Sequence, residues 1–178
     1  AVIRLLIDRG YAALTMAEVA DAAGVSRGAL NHYYPTKETL VIAAARFAME
    51  AEMRKIEKAS PGPMDRGAAI DAFFAASERF FLSSGFIAQI ELVFAARHDQ
   101  RVGDEYFPLI AEYRELFDAT WNRALVRSGM AEADATSLVD MTNFMMRGMG
   151  LGVAHAPRRA GIKAKLADMR DRLRQLFG

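Results

Sequence analysis

Apolar side chains recur along this 178-residue chain with the spacing of one helix face. Val2, Leu5 and Leu6 follow that spacing near the start, and the aromatic run from Phe73 to Phe81 repeats it. No stretch alternates apolar and polar positions over the length of a strand. The pattern therefore predicts an all-α protein.

Glycine, proline and serine clusters interrupt the helical pattern and divide it into about nine helices. Breaks are predicted at Gly10, Gly24, Tyr34 and Pro35, and residues 60–63, 83–85, 97–103, 128–129 and 156–161. The helices before Pro35 are short, whereas the segment from Lys37 runs about twenty residues to Ala59 without a breaker. This change in helix length predicts two domains, residues 1–47 and 48–178.

The segment before Pro35 carries the start and stop signals of two short helices joined by a turn. Thr15 and Glu18 are spaced as a capping box, in which each side chain bonds the backbone N–H of the other. Gly24 is suited to the left-handed conformation that ends a helix, and Val25 is expected to tuck into the corner. The arrangement predicts a helix-turn-helix motif.

The second short helix of this motif is predicted from Arg27 to Tyr33, with Ser26 as its N-cap. Leu30 then faces inward with Val25, while Arg27 and Asn31 lie four residues apart on the outward face. Arginine and asparagine make bidentate contacts with guanine and adenine edges, respectively. The motif therefore indicates a DNA-binding protein.

Other residues around this helix suit the DNA backbone. Gly28 has no side chain, so the main chain can approach a duplex closely there. Thr15, His32 and Tyr33 can donate hydrogen bonds to phosphate, and Lys37 adds a positive charge at the N-terminus of the next helix. Each residue taken alone also fits a helix cap or a plain surface position, so the hypothesis rests on their combination.

The stretch from Leu14 to Leu40 closely resembles the signature of the TetR/AcrR family of bacterial repressors. The resemblance implies an N-terminal three-helix DNA-binding domain, joined by a long fourth helix to a helical ligand-binding and dimerisation domain. It also implies release from operator DNA when a ligand binds. Carried over by motif position, the expected DNA contacts are Thr15, Ser26, Arg27, Gly28, Ala29, Asn31, His32, Tyr33 and Lys37.

The chain after residue 68 is rich in aromatic side chains and methionine, which can line a pocket and re-pack around a guest. Three of the aromatic residues, Tyr113, Phe117 and Trp121, share one face of a predicted helix. The candidate ligand-binding residues are Phe81, Gln89, Phe94, Tyr113, Phe117, Trp121, Asn143, Met145 and Met149. Plain core packing is the alternative for each of them.

Two features near the C-terminus suggest contact between two copies of the chain. Gly148 and Gly152 lie four apart on one helix face, which allows close approach of another helix, and a later segment carries an apolar stripe. The candidate dimer-interface residues are Gly148, Gly152, Ile162, Leu166, Met169 and Leu173. Packing within one chain remains the alternative.

Composition and charge narrow the classes of function. The absence of cysteine excludes disulfides, thiolate metal sites and cysteine nucleophiles, and the net charge of +1 neither demands nor forbids nucleic acid. The three histidines lack metal-ligand spacing, and no catalytic triad or phosphate loop is visible. Charged residues interrupt every apolar stretch, so we expect no membrane span. The lack of cysteine fits a cytoplasmic protein. Because no metal-ligand spacing and no phosphate loop are visible, we expect no metal and no cofactor.

Together these patterns predict a ligand-responsive transcriptional regulator. We expect a repressor that leaves a palindromic operator when a small apolar or aromatic molecule binds the C-terminal domain. Its expected partners are double-stranded operator DNA, a small-molecule effector and a second copy of the chain. Two alternatives stay open: a DNA-binding regulator controlled by a protein partner without an inducer, and a helical enzyme.

Overall fold

The computed structural model describes residues 1–58, 64–155 and 161–178. Within these ranges the chain forms nine α-helices and no strand, which confirms the predicted fold class. The helices are α1 (Val2–Ala13), α2 (Met16–Ala23), α3 (Arg27–Tyr33), α4 (Lys37–Lys58), α5 (Arg66–Phe81), α6 (Ser84–His98), α7 (Gln100–Arg127), α8 (Glu132–His155) and α9 (Ile162–Phe177). The breaks predicted at residues 60–63 and 156–160 lie outside the described residues.

The described residues form two compact units. The first comprises Ala1–Arg54 and Ser84–Arg114, and the second comprises Lys55–Ser83 and Glu115–Gly178. The helix-turn-helix segment therefore belongs to the same unit as α6 and the first half of α7.

The first unit is centred on α1, which packs against α6. Leu6 and Leu92 are almost fully buried in its core. Gly10 interrupts α1 as predicted, with φ 73° and ψ 165°, and a Cβ atom at that position would lie 3.2 Å from a carboxylate oxygen of Glu91. The glycine thus gives α1 both a kink and a close approach to α6.

The corner between α6 and α7 is tighter than the sequence pattern predicts. A break was expected over residues 97–103, but only Asp99 separates the two helices. The backbone N–H groups of Val102 and Gly103 donate to the Asp99 carbonyl at 3.1 and 3.0 Å, so the next helix starts at once. The glycine that suggested a loop instead lies inside α7.

The second unit is built on α5, which packs against α8 and α9. The Phe73 ring on α5 lies 5.5 Å from the Trp121 ring and 6.3 Å from the Phe117 ring, both on α7. The Arg174 guanidinium on α9 pairs with the Asp71 carboxylate on α5 at 3.3 Å. Aromatic packing and this ion pair together fix the helices that surround α5.

Within the described ranges, no single helix is both long and apolar enough to cross a membrane. The consecutive helices α5 and α6 meet that length-and-composition criterion only when they are taken together.

Candidate functional site

The turn between α2 and α3 has the geometry that its residues predict. The Thr15 hydroxyl accepts from the Glu18 N–H at 3.3 Å, and the Thr15 N–H donates to the Glu18 carboxylate at 3.2 Å, which completes the capping box. Gly24 ends α2 in the left-handed region, with φ 68° and ψ 29°. The helix-turn-helix is therefore held by a cap at its start and by a glycine at its corner.

The Val25 side chain differs from expectation. It was predicted to tuck into the corner, but it is 44% exposed. Its backbone N–H donates to the Ala20 carbonyl at 3.1 Å, which closes the turn through the main chain. Val19 and Leu30 fill the apolar interior instead, so the valine side chain remains at the surface.

The outward face of α3 is polar and open to solvent. Ser26 caps the helix by accepting from the Ala29 N–H at 3.1 Å, while Leu30 is the residue of α3 that is buried. Tyr33 is 76% exposed, and a Cβ atom at Gly28 would meet nothing within 4 Å. The exposed set contains Arg27, Gly28, Ala29, Asn31, His32 and Tyr33.

Two predicted phosphate contacts already have partners within the chain. The Thr15 hydroxyl donates to the Glu18 carboxylate at 2.8 Å. The half-buried Lys37 ammonium donates to the Tyr11 carbonyl at 3.1 Å and lies 4.1 Å from the centre of the Tyr11 ring. Because an ammonium has three N–H donors, Lys37 can keep this bond and still reach a phosphate, whereas Thr15 has only one O–H to donate.

Charged groups near the motif support the capping geometry. The Thr15 hydroxyl bond and the nearby Arg9 guanidinium lower the pKa of Glu18 below its ordinary value of 4.5. Arg9 on α1 and Glu18 on α2 form an ion pair. The capping carboxylate is thus held in its charged form, which is the form that accepts both hydrogen bonds.

Sequence reasoning missed a polar cluster at the start of α4. The Arg101 guanidinium lies 2.9 Å from the Glu38 carboxylate and 3.0 Å from that of Asp99. Burial, followed by the negative charges of Glu38 and Asp99, raises the pKa of the neighbouring Tyr11 to about 12. The cluster connects α7 to the helix that directly follows α3, and no spacing in the sequence could have revealed it.

The predicted ligand-binding residues fall in both units. Gln89, Phe94 and Tyr113 belong to the first, while the second contains Phe81, Phe117, Trp121, Asn143, Met145 and Met149. Phe94 on α6 is 52% exposed, so it lies at the surface of its unit, and its contact with a ligand stays a prediction. The main-chain carbonyl of Gln89 accepts from the Tyr106 hydroxyl at 3.2 Å. Tyr113 is buried.

In the second unit the predicted ligand-binding residues lie on α5, α7 and α8. Phe117 and Trp121 are buried, and their ring centres are 6.5 Å apart. The Asn143 amide on α8 donates to the Asp118 carboxylate on α7 at 2.8 Å. Phe81 on α5 is buried 5.8 Å from the Arg147 guanidinium, and Met145 and Met149 are half-buried.

The predicted dimer-interface residues separate into two groups. Gly148 and Gly152 on α8 are exposed, and a Cβ atom at either would meet nothing within 4 Å. Leu166 and Leu173 on α9 are only 3% exposed, so their side chains pack within their own chain, which was the alternative left open. The remaining pair, Ile162 and Met169, is half-buried.

The exposed apolar residues on α8 were not among the predicted interface residues. Phe144 is 70% exposed and Met141 is 41% exposed. Both lie at helical spacing before Gly148 and Gly152, so the stripe could have been extended backwards from the sequence. Exposed apolar side chains are therefore available to another chain on α8, and Leu176 on α9 is also 66% exposed.

A family model described as bacterial regulatory proteins of the tetR family matches residues 1–44. This range contains α1, the complete helix-turn-helix and the first turns of α4. Residues 1–44 therefore carry a DNA-binding domain of the TetR family. The TetR family consists of transcriptional regulators and not enzymes, which favours a regulator over the helical enzyme that the sequence left as an alternative.

Relatives that match over most of the chain agree with this assignment. The chain is 29% identical to the HTH-type transcriptional regulator CymR of Pseudomonas putida over 153 residues, covering 85% of this chain and 74% of that protein. It is 25% identical to the HTH-type transcriptional repressor KstR2 of Rhodococcus jostii over 138 residues, covering 77% and 65% of the two chains. These matches extend the TetR-family likeness well beyond the DNA-binding motif.

The fold is also that of solved transcriptional regulators. A transcriptional regulator from Saccharomonospora viridis, solved in complex with choline, superposes with a TM-score of 0.72 at 16% identity. The match covers 98% of this chain and 90% of the other. At this identity the likeness establishes a shared helical architecture.

Proposed function

We propose that this TetR-family protein is a ligand-responsive repressor that binds a palindromic DNA operator as a homodimer. The observation that carries the proposal is the exposed polar face of α3, where Arg27 and Asn31 flank the open backbone at Gly28. Residues 1–47 carry the DNA-binding surface in this scheme, with α6 as the packing partner of α1, and residues 48–178 also supply effector binding and dimerisation.

Each protomer places α3 in a major groove. Arg27 then reads a guanine edge and Asn31 an adenine edge, while His32 and Tyr33 reach the phosphates on either side. Because Gly28 adds no side chain between these residues, the helix can lie close to the bases. The Ser26 cap and the Glu18 capping box hold α3 at a fixed angle to α2, so the contacts are made without reordering the motif.

A second copy of the chain is the occupant that best fits the exposed stripe of α8. Met141, Phe144, Gly148 and Gly152 follow one another at helical spacing, with large apolar groups at one end and small residues at the other. Two such stripes related by a two-fold axis place a bulky side chain of one copy near the glycines of its partner. The pair of α3 helices then stands about 34 Å apart, or at a multiple of that distance, to match a palindrome.

Release by a small molecule completes the proposal. KstR2 is named a repressor, and the solved S. viridis regulator holds choline, so each of the two properties occurs in a protein similar to this chain. A ligand lowers operator affinity only if it binds more tightly to the state that does not fit DNA. Linkage then requires that operator DNA weaken ligand binding by the same factor.

The decisive experiment is selection of binding sites from random double-stranded DNA with the purified chain. We expect an inverted repeat whose half-sites contain a guanine and an adenine at fixed positions. Arg27→Ala should lose the guanine preference, whereas the control Arg127→Ala, at an exposed arginine on α7, should select the wild-type sequence. Enrichment of no sequence at low salt, or an unpaired half-site bound by a monomer, would contradict the proposal.

A further inference from the structure

Several buried polar atoms in the second unit have no hydrogen-bond partner among the described residues, and three of them are donors on neutral side chains. These three are the hydroxyl of Ser77 on α5, the indole N–H of Trp121 on α7 and the hydroxyl of Thr142 on α8. Ser77 and Thr142 are fully buried, and Trp121 is 2% exposed. Buried polar groups in folded proteins are nearly always paired, so this set needs an explanation.

The three groups belong to one small region of the core. The Trp121 ring lies 5.5 Å from that of Phe73, which is one helical turn before Ser77. One turn after Ser77, the Phe81 ring lies 5.8 Å from the guanidinium of Arg147 on α8. The face of α5 that carries Ser77 is therefore directed at both α7 and α8.

A hydrogen bond between α7 and α8 completes the region. The Asn143 amide donates to the Asp118 carboxylate at 2.8 Å, next to Thr142 on α8 and one turn before Trp121 on α7. The side-chain oxygen of this amide, Oδ1, is buried and has no partner among the described residues. Two hydroxyls, one N–H donor and one amide oxygen thus lie among three helices and the rings of Phe73 and Phe117.

We propose that these groups bind the effector and that it is an uncharged aromatic molecule bearing a carbonyl or hydroxyl oxygen. This inference rests on the proposed function, since it names the chemistry of the molecule that acts there. The ligand oxygen accepts from the Trp121 N–H, which can only donate, and the Ser77 and Thr142 hydroxyls bond to the same oxygen or its neighbour. The aromatic part of the ligand packs against the surrounding rings.

The chemistry of these four groups favours a neutral ligand over an ion. Two charged side chains lie nearby and both are already engaged: the Asp118 carboxylate accepts from the Asn143 amide, and the Arg147 guanidinium lies 5.8 Å from the Phe81 ring. The hydroxyls, the indole and the amide that remain for a ligand are uncharged. Burying a carboxylate or an ammonium against them alone would be unfavourable. A quaternary ammonium such as choline accepts and donates no hydrogen bond through its charged end, so burying that end here would leave its charge uncompensated.

The single tryptophan of the chain gives a direct test. In a proton–nitrogen correlation spectrum its indole N–H yields one resonance. We would follow it while adding acetophenone up to about 10 mM, or ethylbenzene up to its lower solubility limit. Acetophenone should move the indole resonance downfield with a saturable dependence. Ethylbenzene has a similar shape but no oxygen, so it should not move the indole resonance downfield.

Benzoate and choline are the charged comparison compounds. A saturable downfield shift with either ion, and none with acetophenone, would overturn the neutral-ligand assignment. No response to acetophenone at the highest concentration would overturn the site itself. Operator binding measured on the same protein keeps this test separate from the proposed function, because loss of the site leaves DNA recognition by α3 intact.

Thr142→Val removes the hydroxyl while preserving the side-chain shape. If the hydroxyl has no partner in the free protein, the variant should melt at the same or a higher temperature and should bind acetophenone roughly 2- to 12-fold more weakly. Ser128→Ala is the matched control, since the Ser128 hydroxyl already donates to the Leu125 carbonyl at 2.7 Å and should not affect the ligand.

A lower melting temperature for Thr142→Val would show that an internal water already satisfies the hydroxyl, and this result would overturn the assignment. Unchanged acetophenone affinity would do the same. If Thr142→Val does not fold, Ser77→Ala on the opposite wall serves for both measurements, with the same expected direction for ligand affinity.

Discussion

Gly24 and Gly28 offer a matched pair of substitutions within the DNA-binding motif. Neither position has any atom within 4 Å of where a Cβ would be placed, so an alanine meets no steric obstacle at either. The two glycines differ in backbone conformation, because Gly24 has φ 68° whereas Gly28 is the second residue of a regular helix. The same substitution should therefore have opposite effects on stability.

The magnitudes follow from these conformations. An alanine held in the left-handed region costs about 1–2 kcal/mol, so Gly24→Ala should destabilise the motif by that amount. Replacing glycine by alanine in a helix stabilises by up to about 1 kcal/mol, so Gly28→Ala should be neutral or stabilising. If unfolding is cooperative, a difference of about 2 kcal/mol separates the two melting temperatures by roughly 4–8 °C.

Amide hydrogen exchange over α2 and α3 is the appropriate assay, since it reports local opening of the motif. Exchange should be faster in Gly24→Ala and unchanged or slower in Gly28→Ala. At low temperature, where both variants are folded, operator affinity should fall in Gly28→Ala and stay at the wild-type value in Gly24→Ala. Gly28→Ala introduces a methyl group between α3 and the bases, whereas Gly24→Ala leaves that surface unchanged.

Two results would refute this reasoning. Wild-type exchange rates in Gly24→Ala would mean that the corner does not require a left-handed residue. Wild-type operator affinity in Gly28→Ala would mean that the backbone of α3 does not approach the duplex at that residue.

Further predictions concern individual contacts. Arg27→Ala should weaken operator binding by about 1–3 kcal/mol and relax one base preference, as measured by gel shift on single-base operator variants. Lys37→Ala should weaken binding to all sequences alike and reduce the slope of log affinity against log salt by about 0.9, whereas a sequence-dependent loss would argue for a base contact. Glu18 and Glu38 have pKa values below 4.5, so each stabilises the fold above that pH and loses this contribution as the pH falls through its lowered pKa; Glu18→Gln should therefore flatten the acid limb of a stability–pH curve. Phe144→Glu should yield a monomer by sedimentation, and the control Val126→Glu, at an exposed apolar residue of α7, should remain dimeric.

Local signals in the sequence were sufficient for the DNA-binding motif. The capping box, the glycine corner and the Ser26 cap all involve residues within five positions of each other, so their geometry depends on short-range rules. Val25 is the exception. Its exposure depends on how tightly Val19 and Leu30 fill the corner, which local pattern does not determine.

Long-range placement could not be read from the same pattern. Leu166 and Leu173 form an apolar stripe that fits another chain or the same chain equally well, and only their packing within the chain resolves the choice. The pairing of Arg101 with Glu38 likewise depends on how α7 meets α4. The aromatic residues identified a region of the C-terminal half, but periodicity alone did not place Phe94 at the surface.

The membership of α6 in the first unit bears on how such regulators can be re-engineered. A fusion that exchanged only the sequence motif would separate α1 from the helix on which it packs, and would leave Leu6 and the Gly10 kink without their counterpart. A functional chimera should therefore transfer Ala1–Arg54 together with Ser84–Arg114. The transplantable module is discontinuous in sequence, so new DNA specificities are better obtained by recoding the outer face of α3 than by swapping N-terminal segments.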